Sequence, residues 1–324
     1  MHHLDLSGLP IHEQIRKNRW KTAYLFIIFP IIIIGLTYIG LLISLAETND
    51  PIAFANTMIQ TVGFWVLIGV FIWSLISYFW GSKMIMAFAG AKPIKKSDNP
   101  TLFKIVENAS IAAGLAKTPG IYIIDDHSLN AFATGTSPKN AKVAISKGLL
   151  EKLEKNELQA VMSHEIGHVI NRDIRVMLLA VTLVGAIQMI GEILIRSRGR
   201  RSGKGGAPLI LIGFLFITIG VLIGTLTKLA ISREREYLAD ATGAHLCNNP
   251  NALASALEKI SQDARLEVLD KKASMSGLCI ADPSAKAHMH HKKLKEGKQK
   301  LSLWKKAWSS HPPITDRINR LRRF

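Results

Sequence analysis

The sequence predicts a mainly α-helical membrane protein that also carries an α+β domain outside the bilayer. Four long apolar runs, at residues 23–46, 61–80, 176–195 and 207–227, are each long enough to cross a hydrocarbon core of about 30 Å. Helical patterns and short β-type runs lie between and after them. Because the apolar residues, 48% of the 324, are concentrated in these runs, the remaining segments are polar enough to fold in water.

The charges that flank the first two apolar runs predict their orientation. Basic residues precede the first run and follow the second, whereas the short loop between the runs carries Glu47 and Asp50 and no Lys or Arg. The positive-inside rule therefore places the N-terminus, and everything from about residue 93 onward, in the cytoplasm. The basic residues are Arg16, Lys17, Arg19, Lys21, Lys83, Lys92, Lys95 and Lys96.

The third and fourth runs leave two topologies open. Their connecting loop is basic and contains no acid, so two full spans would place it outside, against the positive-inside rule. Glu192 inside the third run also argues against full insertion, because an intramembrane carboxylate is costly. The pair is predicted to form two spans, which puts residues 196–206 outside, or else a partly buried or re-entrant hairpin that does not cross.

Five parts are predicted along the chain. Residues 1–22 form a cytoplasmic extension, and residues 23–90 form two transmembrane helices with a short outside loop. The α+β domain begins with residues 91–175. It is interrupted by the hydrophobic hairpin, residues 176–231, and resumes with residues 232–324, which include a basic C-terminal region.

The first part of the α+β domain contains helical and β-type patterns in turn. Residues 100–114 have apolar residues at helical spacing. Residues 121–124 and 143–146 are β-type runs, and the segment 130–135 lies between them. A second helix, residues 148–153, leads into the next helical segment. A small sheet covered by helices is therefore expected.

The next helix carries the pattern H-E-x-x-H, and we expect it to begin at Asn156 and to continue unbroken as far as Asp173. His164 and His168 are four residues apart, so they stand on one helix face and can both reach one Zn²⁺ ion. Glu165 lies beside that position, where it can take a proton from a water molecule at the metal. The pattern predicts a catalytic zinc site with one ion per chain.

A catalytic zinc site needs a third protein ligand, and we predict that Glu236 supplies it. Glu236 follows the fourth apolar run and shares a helix face with Asp240, four residues later. Asp240 is expected to accept a hydrogen bond from the other ring nitrogen of a ligand histidine. The small residues Ala239 and Gly243 allow another helix to approach closely. Because His168 and Glu236 must meet, the chain between them crosses the membrane an even number of times.

Other interpretations of the charge, the cysteines and the histidines are weaker. The net charge of +17 does not indicate a nucleic-acid binder, because no nucleic-acid motif accompanies it and the anionic inner leaflet accounts for it. Cys247 and Cys279 are too few for a disulfide framework. The lysine-rich segment 263–310 is predicted to be a surface loop region whose clustered histidines are solvated rather than a second metal site. These histidines are His288, His290 and His291.

Taken together, the motifs resemble a known family. H-E-I-G-H, S-R-E-R-E-Y-L-A-D, N-A-F-A-T-G and the C-terminal H-P-P-I-T-D-R-I are similar to the HtpX family of bacterial membrane metalloproteases, relatives of the Ste24 CAAX proteases. The resemblance covers essentially the whole chain. It implies a zincin-type metalloprotease domain on the cytoplasmic side of the inner membrane, held by a multi-pass anchor. It also implies cleavage of misfolded or damaged membrane proteins in quality control and stress response.

Individual residues acquire roles from this resemblance. His164, His168 and Glu236 match the zinc ligands, and Glu165 matches the general base. His311 is a candidate for holding the oxyanion, with capping of the last helix as the alternative.

The resemblance also assigns a substrate-binding strand. The segment 130–133 matches a strand that pairs with the substrate backbone, and an exposed sheet edge can bind an extended peptide in this way. An ordinary turn is the alternative. The residues are Asn130, Ala131, Phe132 and Ala133.

Two further classes of function are considered. A membrane scaffold with a degenerate metal site is disfavoured by the intact Glu165, because a purely structural zinc site needs no base. A zinc hydrolase of a non-peptide bond is weakly disfavoured by the strand motif. The expected partners are therefore membrane-protein or unfolded polypeptide substrates and the lipid bilayer, with no nucleic acid; the sequence specifies no oligomeric state.

Overall fold

The structure, a computed structural model, describes residues 11–46, 48–196, 210–220, 222, 233–261 and 312–324. It begins with two long helices, α1 (Ile11–Ser44) and α2 (Pro51–Phe88). Asp50 caps α2, since its side chain accepts a hydrogen bond from the backbone N–H of Ala53. Both helices are longer than the apolar runs that predicted them, because α1 begins well before its run and α2 extends beyond its run at both ends.

A four-stranded sheet follows the two helices. Its strands are β1 (Ala91–Pro93), β2 (Gly120–Ile124), β3 (Ala131–Thr134) and β4 (Lys142–Ser146). Their order in the sheet is β1-β2-β4-β3; β2 and β4 are parallel, and the other two pairs are antiparallel. The two predicted strands are present, each one residue longer than predicted. The N-A-F-A-T-G segment forms β3, which lies at the edge of the sheet.

Three helices in this part of the chain are α3 (Pro100–Ala112), α4 (Lys147–Lys152) and α5 (Lys155–Ile170). Asn99 caps α3 through a hydrogen bond from the N–H of Leu102. α5 lies at the centre of the domain, where it contacts α3 and β3. Nearly every residue of its second half is buried, so the H-E-x-x-H pattern is an interior feature.

α5 differs from the predicted helix at both ends. It begins with Glu154 as N-cap rather than at Asn156, and it stops at Ile170. The prediction of an unbroken helix to Asp173 is wrong, because Arg172 adopts a left-handed conformation with φ 58°. A non-glycine residue is rarely found there, and no Gly or Pro in the sequence marked this break. The chain turns at residues 171–172, and the next helix starts at Asp173.

That next helix, α6 (Asp173–Arg196), is followed by the shorter apolar helix α7 (Ile210–Gly220). Their backbones pack closely, since a Cβ on Gly191 would lie 2.7 Å from the carbonyl oxygen of Gly213. Within the part of the chain that the structure describes, α1, α2 and α6 are the helices long and apolar enough to cross a membrane. Residues 197–206, in the loop predicted to lie outside the membrane, are not among the described residues. The topology of the hairpin therefore stays a prediction.

The last described helices are α8 (Arg233–Cys247), α9 (Pro250–Ile260) and α10 (Ile314–Leu321). Together with α3, α5 and the sheet they enclose one apolar core. α5 packs against α8 and α9, and α10 contacts both of these. The architecture is thus a mainly α-helical membrane protein with an α+β domain built around α5, as the sequence predicted.

Candidate active site

Three potential metal ligands meet between α5 and α8. His164 and His168 project from α5 and Glu236 from α8, and one ligand atom of each lies within 4.8 Å of the other two. The Nε2 atom of His168 is 3.6 Å from Oε1 of Glu236, and the Nε2 atom of His164 is 4.0 Å from Oε2. All three side chains are buried. The structure therefore brings together the residues that the sequence nominated as ligands.

Small residues at the α5–α8 contact make this approach possible. A Cβ on Gly243 would lie only 2.8 Å from the backbone N and Cα of His164. A Cβ on Gly167 would lie 3.3 Å from the carbonyl oxygen of Ala239. The backbones of the two helices are thus nearly in contact beside the first histidine, and this spacing sets how close Glu236 comes to the histidines.

The Gly243→Ala variant should separate these helices, because its methyl group meets backbone rather than a flexible side chain. We expect the free energy of unfolding to fall by about 1–3 kcal/mol, as in other overpacked sites, and metal affinity to fall with it. Thermal unfolding and metal titration of the purified protein measure both. Gly185→Ala on α6, where nothing lies within 4 Å of the new Cβ, is the control and should change neither; equal behaviour of the two variants would contradict the packing argument.

Each histidine is backed by a carboxylate. Nδ1 of His164 lies 3.0 Å from Oδ1 of Asp240, and Nδ1 of His168 lies 3.2 Å from Oδ2 of Asp173. At His168 this contact is a hydrogen bond, which favours the tautomer that carries its proton on Nδ1 and leaves Nε2 free to bind a metal; at His164 the distance alone places Asp240 beside Nδ1. The sequence predicted the position of Asp240 by helix spacing. Asp173 was missed, because an unbroken α5 would have carried it away from His168.

Arg317 on α10 completes the buried charge cluster. Its Nε and Nη2 atoms donate hydrogen bonds to Oδ2 and Oδ1 of Asp240 at 2.8 and 2.7 Å, and Nη1 lies 3.3 Å from Oε2 of Glu236. Burial raises the pKa of Asp240, but Arg317 and His164 outweigh that effect and hold it below its usual range. Arg317 was also missed by the sequence analysis; the only signal for it was its place in the C-terminal H-P-P-I-T-D-R-I motif.

Glu165 faces the same site and is only 1% exposed. Among the described residues its two carboxylate oxygens have no hydrogen-bond partner. Burial raises the pKa of Glu165 to about 7. The nearby charge of His168 lowers this pKa, and the carboxylate of Glu236 raises it. The backbone amide of Ala133 in β3 lies close enough to lower this pKa in part without forming a hydrogen bond, so the predicted base lies beside the edge strand.

The remaining predicted residues divide into two groups. Asn130 precedes β3, and Ala131, Phe132 and Ala133 form its first three residues, all of them buried. His311 lies outside the described residues, as do the three clustered histidines of the lysine-rich segment.

The donor set suits a metal ion. Two imidazoles and one carboxylate are the ligands of one class of catalytic zinc site, which keeps a fourth position open. Nε2 of His164 is fully buried, and no group in the described part of the chain forms a hydrogen bond with it. A buried nitrogen without a partner is costly in free energy, and a cation between the three side chains would satisfy it.

Fold and site together define a membrane-bound metalloprotease whose H-E-x-x-H helix lies beside a sheet edge. The family model described as Peptidase family M48 matches residues 96–324. The chain belongs to this family of metal-dependent peptidases.

Curated relatives extend the similarity to the membrane helices. A "Protease HtpX homolog" of Bacteroides fragilis is 36% identical over 329 residues, covering 97% of this chain and 98% of the relative. Proteins of the same description are 40% identical in Tropheryma whipplei, over 77% of this chain and 81% of the relative, and 36% identical in Dictyoglomus thermophilum, over 98% and 96%. The resemblance to the HtpX family is confirmed.

One solved structure is also similar in outline. The crystal structure of S. mikatae Ste24p aligns with a TM-score of 0.43 and 18% sequence identity, covering 89% of this chain and 62% of that chain.

Proposed function

We propose that this metalloprotease is a zinc-dependent endopeptidase that hydrolyses misfolded or damaged membrane proteins at the cytoplasmic face of the inner membrane. The observation that carries the proposal is the convergence of His164, His168 and Glu236 beside the buried carboxylate of Glu165. The description shared by the relatives, a protease, supports the reaction type. Quality control and stress response are the biological setting that the family resemblance implies.

His164, His168 and Glu236 would hold the zinc ion, and Asp240 and Asp173 would keep the two imidazoles oriented for it. A Zn²⁺ ion held there would supply Lewis acidity toward the scissile carbonyl and lower the pKa of water toward 7. Glu165 accepts the proton of the attacking water and returns it to the leaving amine. Arg317 helps to hold the pKa of Asp240 below its usual range and lies against the carboxylate of Glu236.

β3 is proposed to bind the substrate backbone. The carbonyl of Asn130 accepts a hydrogen bond from the N–H of Ser146 in β4. Because pairing alternates along an antiparallel strand, the backbone groups of Ala131 and Ala133 point away from β4, toward the side of β3 that no described strand covers. The N–H of Ala131 is taken by the side chain of Asn130 at 2.9 Å and the N–H of Ala133 faces Glu165, so the carbonyls of Ala131 and Ala133 are proposed to pair with the peptide. Ala133 adjoins Glu165, which aligns an added strand with the base.

The position of the site favours substrates in or next to the membrane. The candidate membrane helix α6 begins at Asp173, five residues after His168. α1 enters its candidate span at Trp20 and contacts the same turn. An unfolded segment emerging from the bilayer therefore reaches the site over a short distance.

Metal removal tests the proposed reaction. The full chain, purified in detergent, should cleave an unfolded membrane protein; a chelator should abolish cleavage, and added Zn²⁺ should restore it. Cleavage is followed by gel and by mass spectrometry of new termini. Persistence of cleavage after complete metal removal would exclude the zinc mechanism. A metal-bound protein that cleaves no polypeptide would favour the scaffold or a non-peptide hydrolase.

Thiol labelling tests the proposed topology. Single cysteines are introduced in a background that lacks Cys247 and Cys279, and a membrane-impermeant reagent is applied to intact cells. Asn49→Cys, in the outside loop, should label at once. Lys117→Cys, exposed on the α+β domain, should label only after lysis. Ser197→Cys, in the predicted hairpin loop, should label in intact cells if the hairpin crosses twice. Labelling of Lys117→Cys in intact cells would overturn the cytoplasmic placement, and protection of Ser197→Cys would replace the two spans by a non-crossing hairpin.

A further inference from the structure

The cytoplasmic end of α1 reaches the turn between α5 and α6. Asn18 lies two residues before the candidate span of Trp20–Ser44 and is only 3% exposed. Its Nδ2 atom donates one hydrogen bond to the carbonyl of Asn171 at 3.0 Å and another to Oδ1 of Asp173 at 2.7 Å. The side-chain amide of Asn18 thus donates both of its protons to this turn, although Asn18 lies 155 positions before Asp173 in the chain.

Asp173 connects that amide to the candidate metal site. While Oδ1 receives the hydrogen bond from Asn18, Oδ2 faces Nδ1 of His168 at 3.2 Å. Nη1 of the buried Arg235, next to the third ligand on α8, lies 3.7 Å from the same Oδ1. Asp173 is 1% exposed, so these neighbours rather than water surround its carboxylate.

The turn itself is strained at the point where it is held. Arg172, between the two acceptors of Asn18, has φ 58°, a conformation that costs a non-glycine residue free energy and persists only when its surroundings enforce it. Asn18 bonds the residues on both sides of Arg172. It therefore helps to keep the turn that places Asp173 beside His168.

We propose that Asn18 is a positioning residue of the metal site, so that the first membrane helix holds the ligand His168 in place through Asp173. The proposal rests on the assignment of His168 as a zinc ligand. Loss of the amide leaves Oδ1 of Asp173 without its short hydrogen bond, and the carboxylate is free to turn away from the imidazole. The first membrane helix therefore contributes to metal binding as well as to membrane anchoring.

Zinc release from the full chain in detergent tests the proposal. The isosteric Asn18→Asp removes both donated hydrogen bonds and sets a carboxylate against Asp173; Asn18→Leu removes them without adding charge. Outer-shell partners typically change metal affinity by 10–100-fold, so we expect about tenfold faster transfer of zinc to a chromogenic chelator for each variant. Thr22→Val is the matched control. It removes a buried hydrogen bond on the same helix, from Oγ1 of Thr22 to the carbonyl of Asn18 at 2.8 Å, that does not reach the turn, and we expect less than about a twofold change.

A pairwise rescue separates positioning from general loss of structure. In Asn18→Asp combined with Asp173→Asn, the amide at 173 can donate to the carboxylate at 18 while its oxygen faces His168. Zinc release should therefore be slower than the product of the two single effects predicts, since contacting residues in one network are not additive. A simple loss of packing by α1 would give no such recovery.

The outcomes distinguish this proposal from the assigned function. Unchanged zinc release in both Asn18 variants, or an equal acceleration in Thr22→Val, would overturn the positioning role. His168→Ala should lose zinc whether or not Asn18 is substituted. If His168→Ala keeps its zinc, the assignment of the site itself fails, and the positioning role fails with it.

Discussion

The Glu165→Gln variant is expected to bind zinc as the unaltered protein does and to lose nearly all hydrolysis. The amide has the size of the carboxylate and leaves His164, His168 and Glu236 in place, but it cannot accept the proton of the attacking water. General-base catalysis contributes about 10²–10⁴-fold, so the cleavage rate should fall by that factor. Zinc content by elemental analysis and cleavage of an unfolded membrane protein measure the two properties separately.

The control is Glu151→Gln on the exposed face of α4, which should cleave at the normal rate. Because substrate remains bound but uncut, Glu165→Gln is also the variant with which to trap physiological substrates from cells. Hydrolysis by Glu165→Gln at a rate comparable to that of the unaltered protein would show that another group takes the proton.

The Glu236→Ala variant should lose zinc, whereas Glu234→Ala should not. Two positions along an α-helix are about 200° apart around its axis, so these two substitutions differ in position and not in chemistry. Outer-shell partners alone change metal affinity by 10–100-fold, and removal of a ligand should lower it by at least about 100-fold. Glu236→Ala also removes a carboxylate from beside the buried guanidinium of Arg317, so some loss of thermal stability is expected as well.

Metal titration of both variants, with thermal unfolding of the metal-free proteins, separates ligation from folding. A Glu236→Ala protein that stays folded and keeps its zinc would move the third ligand to another residue. A variant that unfolds before metal is added would be replaced by Glu236→Gln, which preserves volume and should still weaken zinc binding.

The parts of the site that sequence predicted are those set by local geometry. The i, i+4 spacings of His164 with His168 and of Glu236 with Asp240 follow from helix periodicity alone. The apolar runs likewise predicted the membrane helices through length and composition. Where α5 ends depended instead on the left-handed conformation of Arg172, which no Gly or Pro indicated, although Asn171 stands at the C-cap.

Sequence patterns could not predict the contacts that support the metal ligands, because these contacts join segments that are distant in the chain. Arg317 and Asp240 are 77 positions apart, and Asn18 and Asp173 are 155 apart. The first pair is brought together where α10 contacts α8 and the second where α1 contacts α6, and the sequence predicts such packing only in outline. Side chains of these types are found exposed on most helices, so burial was what identified them as members of the site.

X-ray absorption at the zinc edge of the purified, zinc-loaded Glu165→Gln protein tests the central claim most directly, because it reports the ligand atoms themselves. We expect one zinc per chain with nitrogen and oxygen neighbours at about 2.0–2.2 Å, including the scattering of two imidazole rings, and loss of this spectrum in Glu236→Ala. A sulfur neighbour at about 2.3 Å, or a spectrum that is unchanged in Glu236→Ala, would contradict it.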